Sequence, residues 1–271
     1  MLFMLILPGC VDFISALASS APLSQVHVDA ANSGATSALM MQAALNMVDA
    51  TLIPLDTGLD PAAAPGAAAE AMRAVADNGC GIVTPIVDDT FTVDFGDGCT
   101  YGTVVVSGTV AVSVSYPEED PNLEVGLVFT DLEVDGVGLE GEVELLSWGL
   151  QFDVALRLAH EATTISADVD VFYAGDDSSA YVPGAYALFG EGEVQDPNVT
   201  ATIRPSVWIT PGCWIGNGEV TVIDDSTGVW GHLQFSPGTQ SSGTASFSDP
   251  PAEGCVELPS YTGCAATACG G

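Results

Sequence analysis

The sequence predicts a mainly β protein, an antiparallel multi-stranded sandwich or long curved sheet, preceded by two short Ala-rich helices. Three observations predict it. From Gly79 to about Leu258 almost every segment alternates apolar and polar residues, bounded by Gly, Pro or Asp pairs. That pattern gives about ten to twelve strands with no convincing helical period between them. Only ahead of Gly79 does the period turn helical. The third observation is capacity: 271 residues, 48% of them hydrophobic, can bury a sizeable core.

The elements follow in order. The opening "MLFMLILPGC", residues 1–10, is an apolar run too short to cross a bilayer as a helix. A short apolar stretch closed by small residues is what a signal peptide offers its peptidase. Residues 11–31 read as a tether with a short strand at Val26-His27-Val28. In the helical segment, 32–78, "SALMMQAALNMVDATL" places Leu39, Met40, Leu45, Met47 and Val48 among alanines, with Ser and Thr as caps. "DPAAAPGAAAEAMRAVADNG" then supplies a Pro/Gly break and a second Ala-rich helix ending near Gly79. Met40, Met41 and Met47 read as flexible core filler rather than a soft metal-ligand set. Residues 79–258 make the β domain and 259–271 a C-terminal disulfide tail.

One hairpin of the β domain can be registered by hand. Asp135-Gly136 is a favoured two-residue type I′ turn, which pairs Val134 with Val137 and Leu132 with Leu139. Further out the apolar parity shifts, because Leu123, Val125, Leu127 and Phe129 are odd-numbered. A one-residue bulge near Thr130-Asp131 restores the match, setting Leu127 opposite Val143 and Val125 opposite Leu145. Other turns fall at Gly175-Asp176-Asp177-Ser178 and Asp224-Asp225-Ser226-Thr227-Gly228.

Charge narrows the partners. The chain has 36 Asp and Glu against 3 Lys and Arg, a formal net charge of −33; all three basic residues are arginines, Arg73, Arg157 and Arg204. Phosphate recognition needs clustered cations, so nucleic acid is excluded, and an anionic lipid surface would repel the chain. Divalent metals, basic peptides or a screening salt medium remain compatible.

The closest match to a metal motif is Asp131, Glu133, Asp135, Gly136 and Glu142, which fits the calcium-loop spacing with Glu133 in place of Asp or Asn. Its flanks alternate as strands, and a two-residue turn leaves no twelve-residue loop, so the hairpin is preferred. Within that hairpin Asp131 lies near Glu140 and Glu142 at the bulge, which makes these three weak calcium candidates. The three histidines, His27, His160 and His232, are scattered without zinc spacing, and His160-Glu161 sits in a strand-like segment. No nucleophile elbow and no phosphate loop is present. Carboxylate pairs suited to glycoside hydrolysis are compatible with so many acids, but only 4 Trp are available as sugar platforms. Trp208 and Trp214, flanking Cys213, read as a core cluster packed on a disulfide.

Leu7-Pro8-Gly9-Cys10 resembles the bacterial lipobox, in which the cysteine is acylated and becomes the mature N-terminus. The resemblance implies lipidation of Cys10, and two or three acyl chains anchor stably. The lack of a Lys or Arg n-region points to a start codon upstream of Met1. Val11, with no retention Asp after the cysteine, implies the outer membrane or cell surface. Cysteine arithmetic agrees: of 7 cysteines, setting Cys10 aside leaves six that can pair completely. In an oxidising compartment Cys80, Cys99, Cys213, Cys255, Cys264 and Cys269 should be disulfides.

"GCGIVTPIVDDTFTVDFGDGCTYGTVVVSGTVAVSV", from Gly79, looks like a pattern of uncharacterised Gram-negative cell-envelope lipoproteins, where a cysteine-led strand returns as D-F-G-x-G-C. Cys213 to Cys255 resembles the closing cysteine-led hairpin of such proteins, although Phe247-Ser248-Asp249-Pro250 stands where Phe-Gly-Asp-Gly is expected. With Cys80 opposite Cys99, the hairpin midpoint falls between Asp89 and Thr90, inside the turn-prone "VDDT", and closing that loop contributes about 3 kcal/mol. Cys213–Cys255 and Cys264–Cys269 complete the preferred pairing among fifteen. In "FTVDFGDGCT" this makes Phe91, Val93 and Phe95 one strand face, Asp94 the other, and Gly96-Asp97-Gly98 a bend.

The expectation is a lipid-anchored protein of the outer membrane or cell surface with a non-catalytic binding or structural role and no cofactor. Its partner would be an envelope or matrix component or a cationic peptide. A secreted hydrolase with paired carboxylates and a calcium-dependent adhesion module are the alternatives.

Overall fold

A computed structural model of the chain describes residues 21–56, 66, 69, 70, 73, 81–101, 104–115, 123–148, 151–175, 181–209, 214–259 and 266–269. The period-two segments are strands. They are β1 (Ile82–Val83), β2 (Thr90–Asp94), β3 (Cys99–Tyr101), β4 (Val104–Ser115), β5 (Glu124–Val134), β6 (Val137–Trp148) and β7 (Gln151–His160). The series continues with β8 (Thr163–Gly175), β9 (Tyr181–Gln195), β10 (Thr200–Ile209), β11 (Asn217–Asp224), β12 (Trp230–Phe235), β13 (Thr244–Asp249) and β14 (Ala252–Glu257). All belong to one fourteen-stranded antiparallel sheet, an up-and-down meander from β4 to β14, with β2 and then β1 outside β4 and β3 also paired to β4. The fold is mainly β, as expected, and a single open antiparallel sheet is consistent with the sandwich or long curved sheet.

Against the sheet packs α1, Gln25–Asp56. Met40, Met41, Gln42, Ala43, Ala44 and Leu45 are consecutive, and none is more than 3% exposed. Six residues exceed one helical turn, so every side of the helix is covered. The covering strands are β4 to β12 and β14, each of which touches α1. Apolar and small residues therefore run all round the helix instead of forming one stripe. Gly34 lets β11 approach, since a Cβ there would meet Val222 Cγ2 at 2.5 Å. The methionines are core: Met40, Met41 and Met47 are at most 2% exposed.

Two expectations about the N-terminal half are corrected. Val26, His27 and Val28 form the first turn of α1, not a strand. Ser24 N–H donates to the His27 ring Nδ1 at 3.1 Å, which caps that turn, and Val28 N–H donates to Ser24 O at 3.0 Å. The helix also begins at Gln25, inside the stretch 11–31 expected as a tether; it precedes the strands in sequence, as expected, and packs against β4 to β12 and β14. Farther along, Gly66, Ala69, Glu70 and Arg73 are helical, within the second Ala-rich segment.

The β5–β6 hairpin matches its hand-drawn register. Val134 faces Val137, Leu132 faces Leu139, Leu127 faces Val143 and Val125 faces Leu145, with the shift between Phe129 and Leu132. Asp135 and Gly136 both have positive φ, 51° and 85°, as a type I′ turn needs. At the bulge Gly141, φ +119°, lies so close to β7 that a Cβ would sit 2.0 Å from Arg157 O.

In the first hairpin the turn falls at Asp88-Asp89, one residue earlier than expected, bracketed by mutual backbone bonds of Val87 and Thr90. Phe91, Val93 and Phe95 are buried and Asp94 is exposed, as the alternation requires. Gly96-Asp97-Gly98 is a bend between β2 and β3, held by Gly96 N–H donating to the Asp94 carboxylate at 2.8 Å. Cys99 leaves this bend paired with Val106 of β4.

Candidate functional site

The cysteines come first, because they locate the C-terminal chain. Cys99 is disulfide-bonded. Cys10, Cys80, Cys213 and Cys264 lie outside the described residues. Cys255 is bonded to Cys269, with Cα atoms 5.8 Å apart, which overturns both Cys213–Cys255 and Cys264–Cys269. The reason is the path of the tail. Thr267 N–H donates to Ser242 O at 2.7 Å and Cys269 N–H to the Glu257 carboxylate at 3.0 Å, so the tail returns along β14 to the exposed Cys255.

The calcium candidates do not assemble. Asp131, Glu140 and Glu142 are each exposed on the outward side, and among the described residues no group of three His, Cys, Asp or Glu side chains is placed to hold a metal ion. His160 ends β7, its Nδ1 2.7 Å from Gly138 O, with Glu161 in the two-residue turn to β8. The acid at 224 is structural. Asp224 is 1% exposed and accepts hydrogen bonds from Ser226 N–H (2.8 Å), Ser226 Oγ (2.7 Å), Thr227 N–H (3.3 Å) and Thr227 Oγ1. Burial works against its charge, but the Thr227 and Ser226 hydrogen bonds outweigh it and hold the carboxyl below its ordinary value.

What remains is the outward side of β4–β8, where a depression of about 550 Å³ opens to solvent. It exists because small residues alternate with long ones across the strands. Gly126, Glu144, Ala155 and Asp168 are successive cross-strand partners, and Gly126 and Ala155 leave a dip between taller neighbours. The next row runs Ser115, Glu124, Leu146, Asp153, Asp170 and Phe189. The depression is thus lined by Glu124, Glu144, Asp153, Asp168 and Asp170.

Asp153 and Asp170 are directly opposite, like charges where a sheet normally places opposite ones. Burial raises the Asp170 carboxyl above its ordinary value, helped by the hydrogen bond that its protonated form donates to Asp153 and by the Asp153 charge, and opposed by a hydrogen bond with Gln151. Arg157 binds one of these acids. Its guanidinium donates to Asp168 at 3.1 Å and to the Leu156 and Ala167 carbonyls. The other arginines are also engaged with acids, Arg73 with Glu70 at 3.6 Å and Arg204 with Glu191 at 2.6 Å.

Beside the acids stands an aromatic patch. Phe189 is the cross-strand partner of Asp170, and Phe172 meets it edge-on with ring centroids 6.0 Å apart. Ala187 lies between Phe172 and Trp208 as the partner of both. Phe172 is 38% exposed, Phe189 39% and Trp208 48%. Ala187 is nonetheless buried, since larger neighbours flank it. Trp208 corrects the sequence expectation: it is on the outward side, whereas Trp214 is buried and its Nε1–H donates to Pro259 O. The parity of Val207 and Ile209, both 1% exposed, is the signal that turns Trp208 outward.

Comparison with known proteins brings no likeness to bear: no family model, curated protein or solved structure matches the chain.

Proposed function

We propose that the protein is a lipid-anchored binding module of the outer membrane or cell surface, held through Cys10, with a non-catalytic role exercised by the outer face of its sheet. The observation that carries the reading is where the molecule keeps its room. Among the described residues α1 packs against the inward side of the sheet, and a void beside it, lined by Gln42 and Trp214 among others, measures about 10 Å³. That is about one water at most. The outer face, in contrast, offers a groove lined by acids and a patch of exposed rings. The polarity of that face also argues against a lipid-spanning barrel, which needs an apolar outer belt. On β6, for example, Glu140, Glu142 and Glu144 point outward, while Leu139, Val143 and Leu145 point inward.

The anchor rests on the lipobox likeness, with support from the Cys255–Cys269 disulfide and from Cys99, which suit an oxidising compartment. Mass spectrometry of the mature protein from a Gram-negative host tests it. The expected N-terminus is acylated Cys10; an unmodified Cys10 overturns the anchor. A second reading, a hydrolase, draws on the Asp153–Asp170 pair. It calls for turnover of a glycoside or peptide substrate that Asp170→Asn abolishes, and turnover untouched by that change removes it.

A further inference from the structure

We infer that Asn217 is a self-modifying position: its side-chain amide is lost to the backbone nitrogen of Gly218, leaving aspartate or isoaspartate at the end of the exposed ring row. The inference goes beyond the binding-module reading and does not depend on it, because it concerns the chemistry of the chain itself. Two observations lead to it.

The first is a contact. Asn217 opens β11 and is exposed. Gly218 N–H donates to Asn217 Oδ1 at 2.9 Å, so the amide nitrogen stands beside Cγ, the carbon to which that oxygen is bonded. Holding two reacting groups side by side removes much of the entropy that ring closure costs.

The second is the packing that demands glycine next to it. Gly218 has a φ of +110°, and a Cβ there would lie 2.3 Å from Ser206 O and 2.6 Å from Val207 Cα. β10 comes so close that a side chain has no room, and a residue without a Cβ shields its own nitrogen least. The same packing that brings β10 against β11 therefore leaves the Gly218 nitrogen open to Asn217.

The reaction uses water and hydroxide alone. Gly218 N gives its proton to hydroxide and bonds to Asn217 Cγ, the bond from Cγ to the side-chain nitrogen breaks, and ammonia leaves with a proton from water. The resulting five-membered imide then adds water. Opening at Cγ restores the main chain as aspartate, whereas opening at the backbone carbonyl routes the main chain through the side chain as isoaspartate. The net change either way is amide plus water to acid plus ammonia.

The position gives the change a consequence. Asn217 is the cross-strand partner of Trp208, which continues through Ala187 to Phe172. The product sets a carboxylate beside Trp208, and isoaspartate also lengthens the backbone where β11 begins, against a ladder whose register tolerates no slip. The other described asparagines are placed differently. Asn32 and Asn46 lie within α1, where the following N–H groups belong to the helix ladder, and Asn198 precedes the β-branched Val199.

The test incubates the whole folded protein beside a capped peptide of residues 214–220 at mildly alkaline pH. Peptide mapping by mass spectrometry scores each asparagine separately, which keeps Asn78-Gly79, the same dipeptide elsewhere in the sequence, apart from Asn217. Aspartate and isoaspartate are expected at 217 in the folded protein, faster as pH rises, while Asn32, Asn46 and Asn198 keep their amides. Asn217→Gln must close a six-membered ring and should slow the loss of amide there by about tenfold or more. Thermal melting confirms that this variant folds like the parent, and Asn217→Asp supplies the standard for the product. An amide at 217 that survives for as long as the reference peptide takes to convert fully overturns the inference. Conversion that grows in proportion to the unfolded fraction in urea overturns it as well, because the chemistry then belongs to the open chain and not to the Gly218 contact.

Discussion

Asp224 and Asp170 lie on the same sheet, and their surroundings treat them in opposite ways. Asp224 ends β11 in a buried pocket of its own hairpin, where two residues further along supply four donors. Asp170 stands in mid-strand with another acid across from it and open groove above. One carboxyl is held below its ordinary value and the other above it. An acid whose lone pairs are filled by its own turn serves folding. An acid met by a second acid carries the cost of a like charge.

The contrast can be broken or sharpened by substitution. The largest effect is expected from Asp224→Ala, which strands the turn donors in a buried place and should cost about 3 kcal/mol in urea unfolding. Ser226→Ala removes one of the donors to that carboxylate and should cost about 1 kcal/mol. Asp170→Asn is expected to act in the other direction, raising the melting temperature at pH 7 by relieving the pair. Asp153→Asn relieves the same repulsion, so the double variant should gain little over either single one.

Acid titration separates the two sites by sign. The ordinary carboxyl value is 3.8 for both. Asp224, held lower, contributes stability that is complete above that value and lost as pH falls through its folded value. Asp170, held higher, opposes folding once pH rises through its folded value, so the advantage of Asp170→Asn should shrink on acidification. Melting curves of both variants between pH 3 and 7, run beside the parent, check the two slopes. Parallel slopes would show that the two acids share one kind of environment.

How much of this was legible in the sequence varies by element. The β5–β6 hairpin could be read to the residue because a turn of known geometry and a change of apolar parity fix register together. "FTVDFGDGCT" could be read as strand and bend for the same reason. The acid pair was within reach: once His160 and Thr163 flank a two-residue turn, counting outward sets Asp153 against Asp170. Trp208 likewise follows from its neighbours' parity, but its nearness to Cys213 in sequence suggested a core instead. The place of α1 was not legible, because periodicity reports which faces are apolar and says nothing about what surrounds them. Nor was Cys255–Cys269, since connectivity depends on where the tail runs and spacing alone allows many pairings.

The N-terminal approach to α1 has a kinetic consequence. Ala21 N–H donates to Pro251 O at 2.9 Å and Glu253 N–H to Ala21 O at 3.1 Å, so the residues just ahead of the helix are stitched to the last strand. A helix can coil within microseconds, whereas contacts between distant parts of a chain form slowly. The early-synthesised helix therefore has to wait for late-synthesised strands before its methionines are sheltered. Until β14 arrives the chain stays incompletely closed, a state exposed to aggregation if the wait is long.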